Sequence, residues 1–342
     1  MKTNRIEKQF LDRPWRFLPH TLAHYLSGGL WKPYDYLKLI SHTITEAIAK
    51  GNGGLIISLP PRHGKSLLIS HWIPVWLLEN WPTQNIILSS YEADFAADWG
   101  RKVRNTIQEH QDKLTVRLSF DSTSASRWHS TKGGGMVTAG SGGPITGRGG
   151  SLIIVDDPHK NWQEAQSETF RQRIIDWFNS TLLTRCEPAA TIIVVQTRWH
   201  QDDLSGYLLR EHSDNWQEIR LPALAEVHEN IPPYWEREID EPLCPERYSK
   251  EELLGIKSAL GSTMWASLYQ QRPAPAGGSI FKIDWWKYYK EAPAFDFILQ
   301  SWDTAFKATE NASYSVCQTW GLAQNGYYLI HQFRGRVEYP QL

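Results

Sequence analysis

Residues 54–66 read GLIISLPPRHGKS. Leu55 to Leu59 is a short apolar run of buried-strand type. Pro60-Pro61 breaks it, and Gly64-Lys65-Ser66 opens the next helix. A turn between a strand and a helix leaves several backbone N–H groups without intrahelical partners, aimed at one spot where a phosphate can sit. In that setting Lys65 would reach the β- and γ-phosphates, Ser66 would give its hydroxyl to Mg²⁺, and Arg62 and His63 would complete the loop. Position 59, where the usual phosphate-loop pattern carries glycine, is leucine. Taken alone, the stretch also fits an ordinary strand–helix turn.

Working outward, the segment SLIIVDDP at 151–158 is a second apolar strand, with two carboxylates at its C-terminal end. Ligands bind at that edge of parallel α/β sheets. Adjacent carboxylates repel one another unless a cation lies between them. Asp156 would therefore hold the Mg²⁺ water shell beside Ser66, and Asp157 would orient the attacking water. Glu164, in the first turn of a helix expected over 163–184, is a second candidate for that role. That helix would bury Phe170, Ile174, Trp177, Phe178 and Leu182. A further strand, TIIVVQ at 191–196, ends in Thr197-Arg198, two residues suited to sensing a γ-phosphate. Asp202 or Asp203 would cap the helix that runs to Glu211.

Apolar strands alternate with amphipathic helices throughout this half, which is the pattern of a parallel α/β sheet flanked by helices. Residues 85–90 form another short strand. Residues 92–110 form a helix with Phe95, Trp99, Val103 and Ile107 on one stripe. A lead-in helix carries Leu37, Ile40, Ile44, Ala47 and Ile48, with Tyr34 or Tyr36 near enough in sequence to stack on an adenine. The helix after the phosphate turn should end or kink at Pro74. Residues 133–150 hold nine of the 24 glycines and read as a β-hairpin with glycine loops. Arg148, between Gly147 and Gly149, reads equally as an arginine finger and as an exposed loop residue.

The chain has 342 residues, room for two domains, and a formal net charge of −1. A uniformly basic nucleic-acid coat is excluded, so any DNA contact is local. Cys186, Cys244 and Cys317 are the three cysteines, and they make no CxxC pair. The composition supports neither a disulfide framework nor a zinc site, and fits a reducing cytoplasm. No 18-residue apolar run suggests a membrane span.

PPRHGKS, ITGRG, LIIVDDP, TRWHQDDLSG, LYQQRPAPAGG and SWDTAFK occur in that order. Together they resemble the large terminase subunit of tailed bacteriophages, from about residue 30 onward. The resemblance implies a P-loop NTPase with an additional strand between its two Walker strands, followed by an RNase H-like nuclease. It implies ATP and Mg²⁺ as cofactors, and a host-cytoplasmic motor that packages DNA into a procapsid. Its partners would be double-stranded DNA, a small terminase subunit, the portal ring of the procapsid and further copies of itself in a ring. Gly64, Lys65 and Ser66 fall on the family's Walker A motif, Arg62 on its P-loop arginine, and Asp156 and Asp157 on its Walker B. Thr197 and Arg198 lie where its coupling motif follows the next strand. Walker B is Asp-Asp where many such ATPases have Asp-Glu, which leaves the water-activating acid open between Asp157 and Glu164.

The expected organisation is a helical lead-in over 1–50, an ATPase core over 51–225, a lid or linker over 226–275 and the start of a nuclease over 276–342. The last part should hold three antiparallel strands. Asp303 on the first would be the first ligand of a two-metal site. The remaining acids of such a site come from later elements, so this chain is expected not to cut DNA by itself. A second RecA-like domain, as in a helicase, does not fit in the 67 residues after 275. A non-catalytic prophage remnant that binds DNA or a small terminase subunit is the alternative reading.

Overall fold

The computed structural model describes residues 13–122, 124–145, 147, 149–273, 287–304, 315–323 and 326–335. Two compact units emerge, residues 1–280 and 281–342.

The first unit is built on a seven-stranded sheet in the order β3-β4-β2-β5-β6-β1-β7. The strands are β1 (Gly54–Ser58), β2 (Asn85–Ser90), β3 (Arg127–His129), β4 (Gly135–Gly140), β5 (Gly150–Asp156), β6 (Cys186–Gln196) and β7 (Trp216–Arg220). All neighbours pair in parallel except β3, which runs antiparallel to β4 at one edge. β6 lies between β1 and β5, so one extra strand separates the strand that feeds the phosphate turn from the one that ends in Asp156.

The near-continuous apolar runs of the central strands follow from burial on both faces. Leu55, Ile57, Leu152, Ile154, Ile193 and Val195 pack on one side. Their helices there are α1 (Pro19–Leu26), α2 (Asp35–Lys50), α3 (Ile73–Asn80) and α4 (Ala93–Glu109). Ile56, Ile153, Val155, Ile192 and Val194 pack on the other side. They meet side chains of α6 (Glu168–Trp177) and α7 (Leu204–Glu211), with the short α5 (Trp162–Gln166) preceding α6.

Several local expectations change. The glycine-rich stretch 133–150 is not a hairpin by itself. Its first half is β4, which pairs in parallel with β2, and its antiparallel partner is the upstream β3. Gly135 permits this: a Cβ there would stand 2.2 Å from the Trp128 carbonyl oxygen. The helix expected over 163–184 breaks at Ser167, whose ψ of 118° is extended, and closes in a π turn at Phe178–Leu182. Phe170 is exposed, whereas Ile174, Trp177, Phe178 and Leu182 are buried. The buried stripe of α4 centres on Ala96, Gly100, Val103 and Ile107, which moves Phe95 and Trp99 to its margin. Pro74 lies in the first turn of α3, directly after a π turn over Leu67–Trp72, a position where its missing N–H is tolerated.

Beyond β7 the chain forms a small β8–β9 hairpin (Glu229–Ile231 with Trp235–Arg237) and α8 (Lys250–Met264). Ser249 and Glu252 close a capping box at the start of α8. Left-handed Gly261, φ 75°, breaks α8, and a π turn follows at Trp265–Tyr269.

The second unit is a three-stranded antiparallel sheet, β10 (Phe297–Asp303), β11 (Ser315–Ala323) and β12 (Gly326–Gly335), in that order. Among the described residues no helix is long and apolar enough to cross a membrane.

Candidate active site

Because β1, β5 and β6 are parallel neighbours, their C-terminal ends converge. Ser58 is in register with Gln196, and Asp156 with Val195. The turn after β1, the carboxylates after β5 and Thr197-Arg198 after β6 therefore come together from three separate stretches of chain.

The turn 59–66 is shaped by backbone conformation. Arg62 and Gly64 both have positive φ, 63° and 82°. Glycine adopts that region without cost. Leu59, in the place of the usual first glycine, is fully buried in the core. Tyr36 from α2 supports the turn from below, its hydroxyl donating to the His63 carbonyl at 2.8 Å. The His63 ring is buried, contacts the Pro61 carbonyl through Nδ1 at 2.9 Å and stacks on Tyr248 at 5.3 Å. Burial lowers its pKa to about 4, so the ring is neutral near pH 7. Only the backbone of His63 is thus suited to a phosphate, while the Arg62 side chain is exposed.

Lys65 is the centre of the cluster. Its Nζ donates to Thr197 Oγ1 at 2.7 Å and pairs with Asp157 Oδ2 at 2.9 Å. Asp157 has φ 46°, and its Oδ1 accepts the Thr197 amide at 2.8 Å. Aspartate is among the few side chains that tolerate this left-handed backbone.

Asp156 is fully buried and is held by two hydroxyls. Ser66 Oγ donates to Oδ1 at 2.9 Å and Ser70 Oγ to Oδ2 at 2.7 Å. Burial first, and the neighbouring Asp157 second, raise the Asp156 pKa to about 7; Lys65 and the two serines oppose that shift. Ser70 was not singled out from the sequence. Its position one helical turn after Ser66 was the available signal. Mg²⁺ is ordinarily bound through one or two carboxylates together with substrate phosphates and water. The Ser66 hydroxyl and the Asp156 carboxylate are hard oxygen donors of that kind and fit the ion.

Other candidates lie elsewhere. Glu164 caps a helix: its Oε2 accepts the Lys160 amide at 3.0 Å, while its own amide donates to Asn161 Oδ1 at 3.0 Å. Arg198 is 6% exposed, and its Nε pairs with Asp203 Oδ2 at 2.9 Å. Asp203 is also the N-cap of α7, accepting the Gly206 amide at 3.0 Å. Arg148 lies outside the described residues. Asp303 is the exposed last residue of β10, in register with Val316. Among the described residues no group of three or more His, Cys, Asp or Glu side chains is placed to hold a metal. A cleft of about 400 Å³ is lined by Tyr34, Trp235, Arg237 and Leu243 among others. Of the two tyrosines considered for an adenine, Tyr36 is committed to the His63 carbonyl and Tyr34 is the more exposed.

The strand order, with one strand between β1 and β5, and the Lys65–Ser66–Asp156–Asp157 cluster at the sheet edge define a P-loop NTPase fold. The family "Terminase large subunit, T4likevirus-type, N-terminal" matches residues 56–288. The chain belongs to this terminase large subunit family.

Solved structures give weaker likenesses. An ATPase-domain variant of the Thermus phage P74-26 large terminase is 12% identical with a TM-score of 0.46, over 75% of this chain and 100% of that one. The bacteriophage HK97 large terminase is 14% identical with a TM-score of 0.43, over 84% and 60%. The large terminase of a thermophilic bacteriophage in complex with ATP-gamma-S is 11% identical with a TM-score of 0.42, over 84% and 63%. The chain thus spans less than two thirds of the last two proteins. No curated protein matches it.

Proposed function

We propose that this chain binds ATP at residues 62–66 and hydrolyses it to drive DNA into a procapsid. The observation that carries the reading is the position of Lys65. It stands between Asp157 and Thr197, beside a serine that is bonded to a buried aspartate.

In this reading the backbone of 62–66 cradles the phosphates, with Lys65 on the β- and γ-phosphates. Ser66 and Asp156 hold Mg²⁺, which when bound neutralises charge on the phosphate oxygens. Asp157, already next to the Lys65 ammonium, orients the attacking water and accepts its proton. Glu164 is the weaker candidate for that step because both its backbone and its side chain serve a helix cap. Thr197 senses the γ-phosphate through Lys65, and Arg198 passes the change to the segment beyond β7. Arg148 remains a proposal for an arginine finger acting on a neighbouring copy. Double-stranded DNA, a small terminase subunit, the portal ring and a homo-oligomeric ring are the proposed partners. A metal role for Asp303 is proposed only within a complete nuclease fold.

The test is ATP hydrolysis by the purified chain, with and without DNA, beside Lys65→Ala. Loss of turnover in a folded Lys65→Ala variant supports the assignment, and undiminished turnover rejects it.

A further inference from the structure

Arg198 directly follows the Thr197 that takes the Lys65 ammonium, and both its backbone groups are claimed by side chains distant in sequence. Its N–H donates to Gln271 Oε1 at 3.0 Å, and its carbonyl accepts from Ser267 Oγ at 2.8 Å. Both partners are 1% exposed. Gln271 is itself fixed: its Nε2 donates to the Leu268 carbonyl, and its backbone has φ 56°. Holding a non-glycine residue in that region takes a surrounding structure that over-determines it.

The preceding Gln270 does comparable work at a different place. Its amide accepts from the Leu224 N–H at 3.1 Å and donates to the Leu224 carbonyl at 3.0 Å. Two adjacent buried glutamines thus address two different segments. Gln270 ties the chain to the segment after β7, and Gln271 ties it to the segment after β6 at the nucleotide edge.

We propose that Gln271, assisted by Ser267, is a positioning residue for ATP turnover, fixing the Thr197-Arg198 peptide so that Thr197 stands opposite Lys65. This rests on the ATPase reading above. Thr197 is held from one side by Asp157 and Lys65, and from the other through Arg198 by residues 267 and 271. Gln271 touches no reacting atom and acts only through this peptide. Removing its side-chain amide leaves a buried N–H without an acceptor, and the segment carrying Thr197 relaxes away from its position. Displacement of about 1 Å at a reacting site costs on the order of 10²-fold in rate.

The experiment measures steady-state ATP hydrolysis and melting temperature for the wild-type chain, Gln271→Ala, Gln270→Ala, Thr197→Ala and the Thr197→Ala/Gln271→Ala double variant. Gln271→Ala is expected to lower kcat about tenfold or more, with KM for ATP changed less than about twofold. Gln270→Ala, which also removes two buried hydrogen bonds, is expected to lower the melting temperature and keep kcat within about twofold. The double variant is expected to be no slower than Thr197→Ala, because both changes act on one contact. Wild-type kcat in Gln271→Ala, an equal loss in Gln270→Ala, or additive losses in the double variant overturns the inference. If Gln271→Ala does not fold, Ser267→Ala carries the test: reduced kcat at unchanged KM supports the inference, and wild-type kcat overturns it. Absence of turnover in the wild-type chain instead overturns the ATPase reading on which the inference stands.

Discussion

Lys65 Nζ lies 2.9 Å from Asp157 Oδ2, an ion pair between residues from the ends of two strands that are not adjacent in the sheet. β6 lies between them and supplies Thr197, whose hydroxyl and amide bond to Lys65 and Asp157 respectively. One ammonium thus connects the phosphate turn, the paired carboxylates and the segment leading to Arg198.

Asp157→Asn keeps an acceptor for the Thr197 amide and removes the charge beside Lys65. Nucleotide binding should survive. Turnover should fall by roughly 10²- to 10⁴-fold, the usual worth of a positioned acid or base. Equilibrium binding of a fluorescent ATP analogue, compared with phosphate release, separates the two. Glu164→Gln, measured alongside, should retain most of the activity.

Ser70→Ala removes a 2.7 Å hydrogen bond to the fully buried Asp156 carboxylate. A hydrogen bond to a charged group contributes about 1.5–3 kcal/mol, so urea unfolding at about pH 8, above the raised pKa of Asp156, should show a loss in that range. A variant as stable as wild type would show that Ser66 alone satisfies Asp156.

Asp203→Ala removes the N-cap of α7 and the partner of buried Arg198 at once. Breaking a buried ion pair costs about 3–5 kcal/mol, and loss of the cap adds about 1 kcal/mol. Asp203→Asn keeps the cap acceptor and should recover the smaller part. Chemical denaturation of the two variants gives both values.

His71 is buried in the π turn before α3, with its Nε2 2.7 Å from Thr106 Oγ1. Burial lowers its pKa from 6.5 to about 3. The folded value lies below the unfolded one, so the unfolded chain takes up the proton first. The stability that neutral His71 supports is present above pH 6.5 and is lost as pH falls toward 3. Asp156, with its pKa raised to about 7, works in the opposite sense over the upper part of that window. Comparing wild type with His71→Gln isolates the histidine. The stability of the variant should fall less steeply below pH 6.5, by about 1.4 kcal/mol per pH unit. Parallel slopes in denaturation at pH 7.5, 6.5 and 5.5 would contradict this.

Much of the seven-stranded sheet and its flanking helices could be read from short-range patterns. Runs of three or four consecutive apolar residues marked β1, β2, β5 and β6, and the polar residues that end them marked the sheet edge. Strand burial on both faces and helix periodicity are local in sequence, and they were sufficient for a parallel α/β sheet flanked by helices. Glycine content was a poorer guide. Gly135 serves close approach to the Trp128 carbonyl within a strand, which composition cannot tell from a loop.

The sequence by itself determined that a turn carrying Gly64-Lys65-Ser66, two carboxylates and a Thr-Arg pair each follow a buried strand. The tertiary structure decided that these meet, because strand order is set by pairing between distant segments. Lys65 and Thr197 are 132 residues apart and are brought to 2.7 Å only because β6 inserts between β1 and β5. It also decided which polar residues have prior commitments. Glu164 looks available in the sequence, and Asp202 and Asp203 are equal candidates for one helix cap. Glu164 caps a helix from its first turn, and Asp203 caps α7 and neutralises Arg198. Gln271 carries no sequence mark of its position behind Thr197. A neutral amide acquires that role only when the fold buries it against an N–H with no other acceptor.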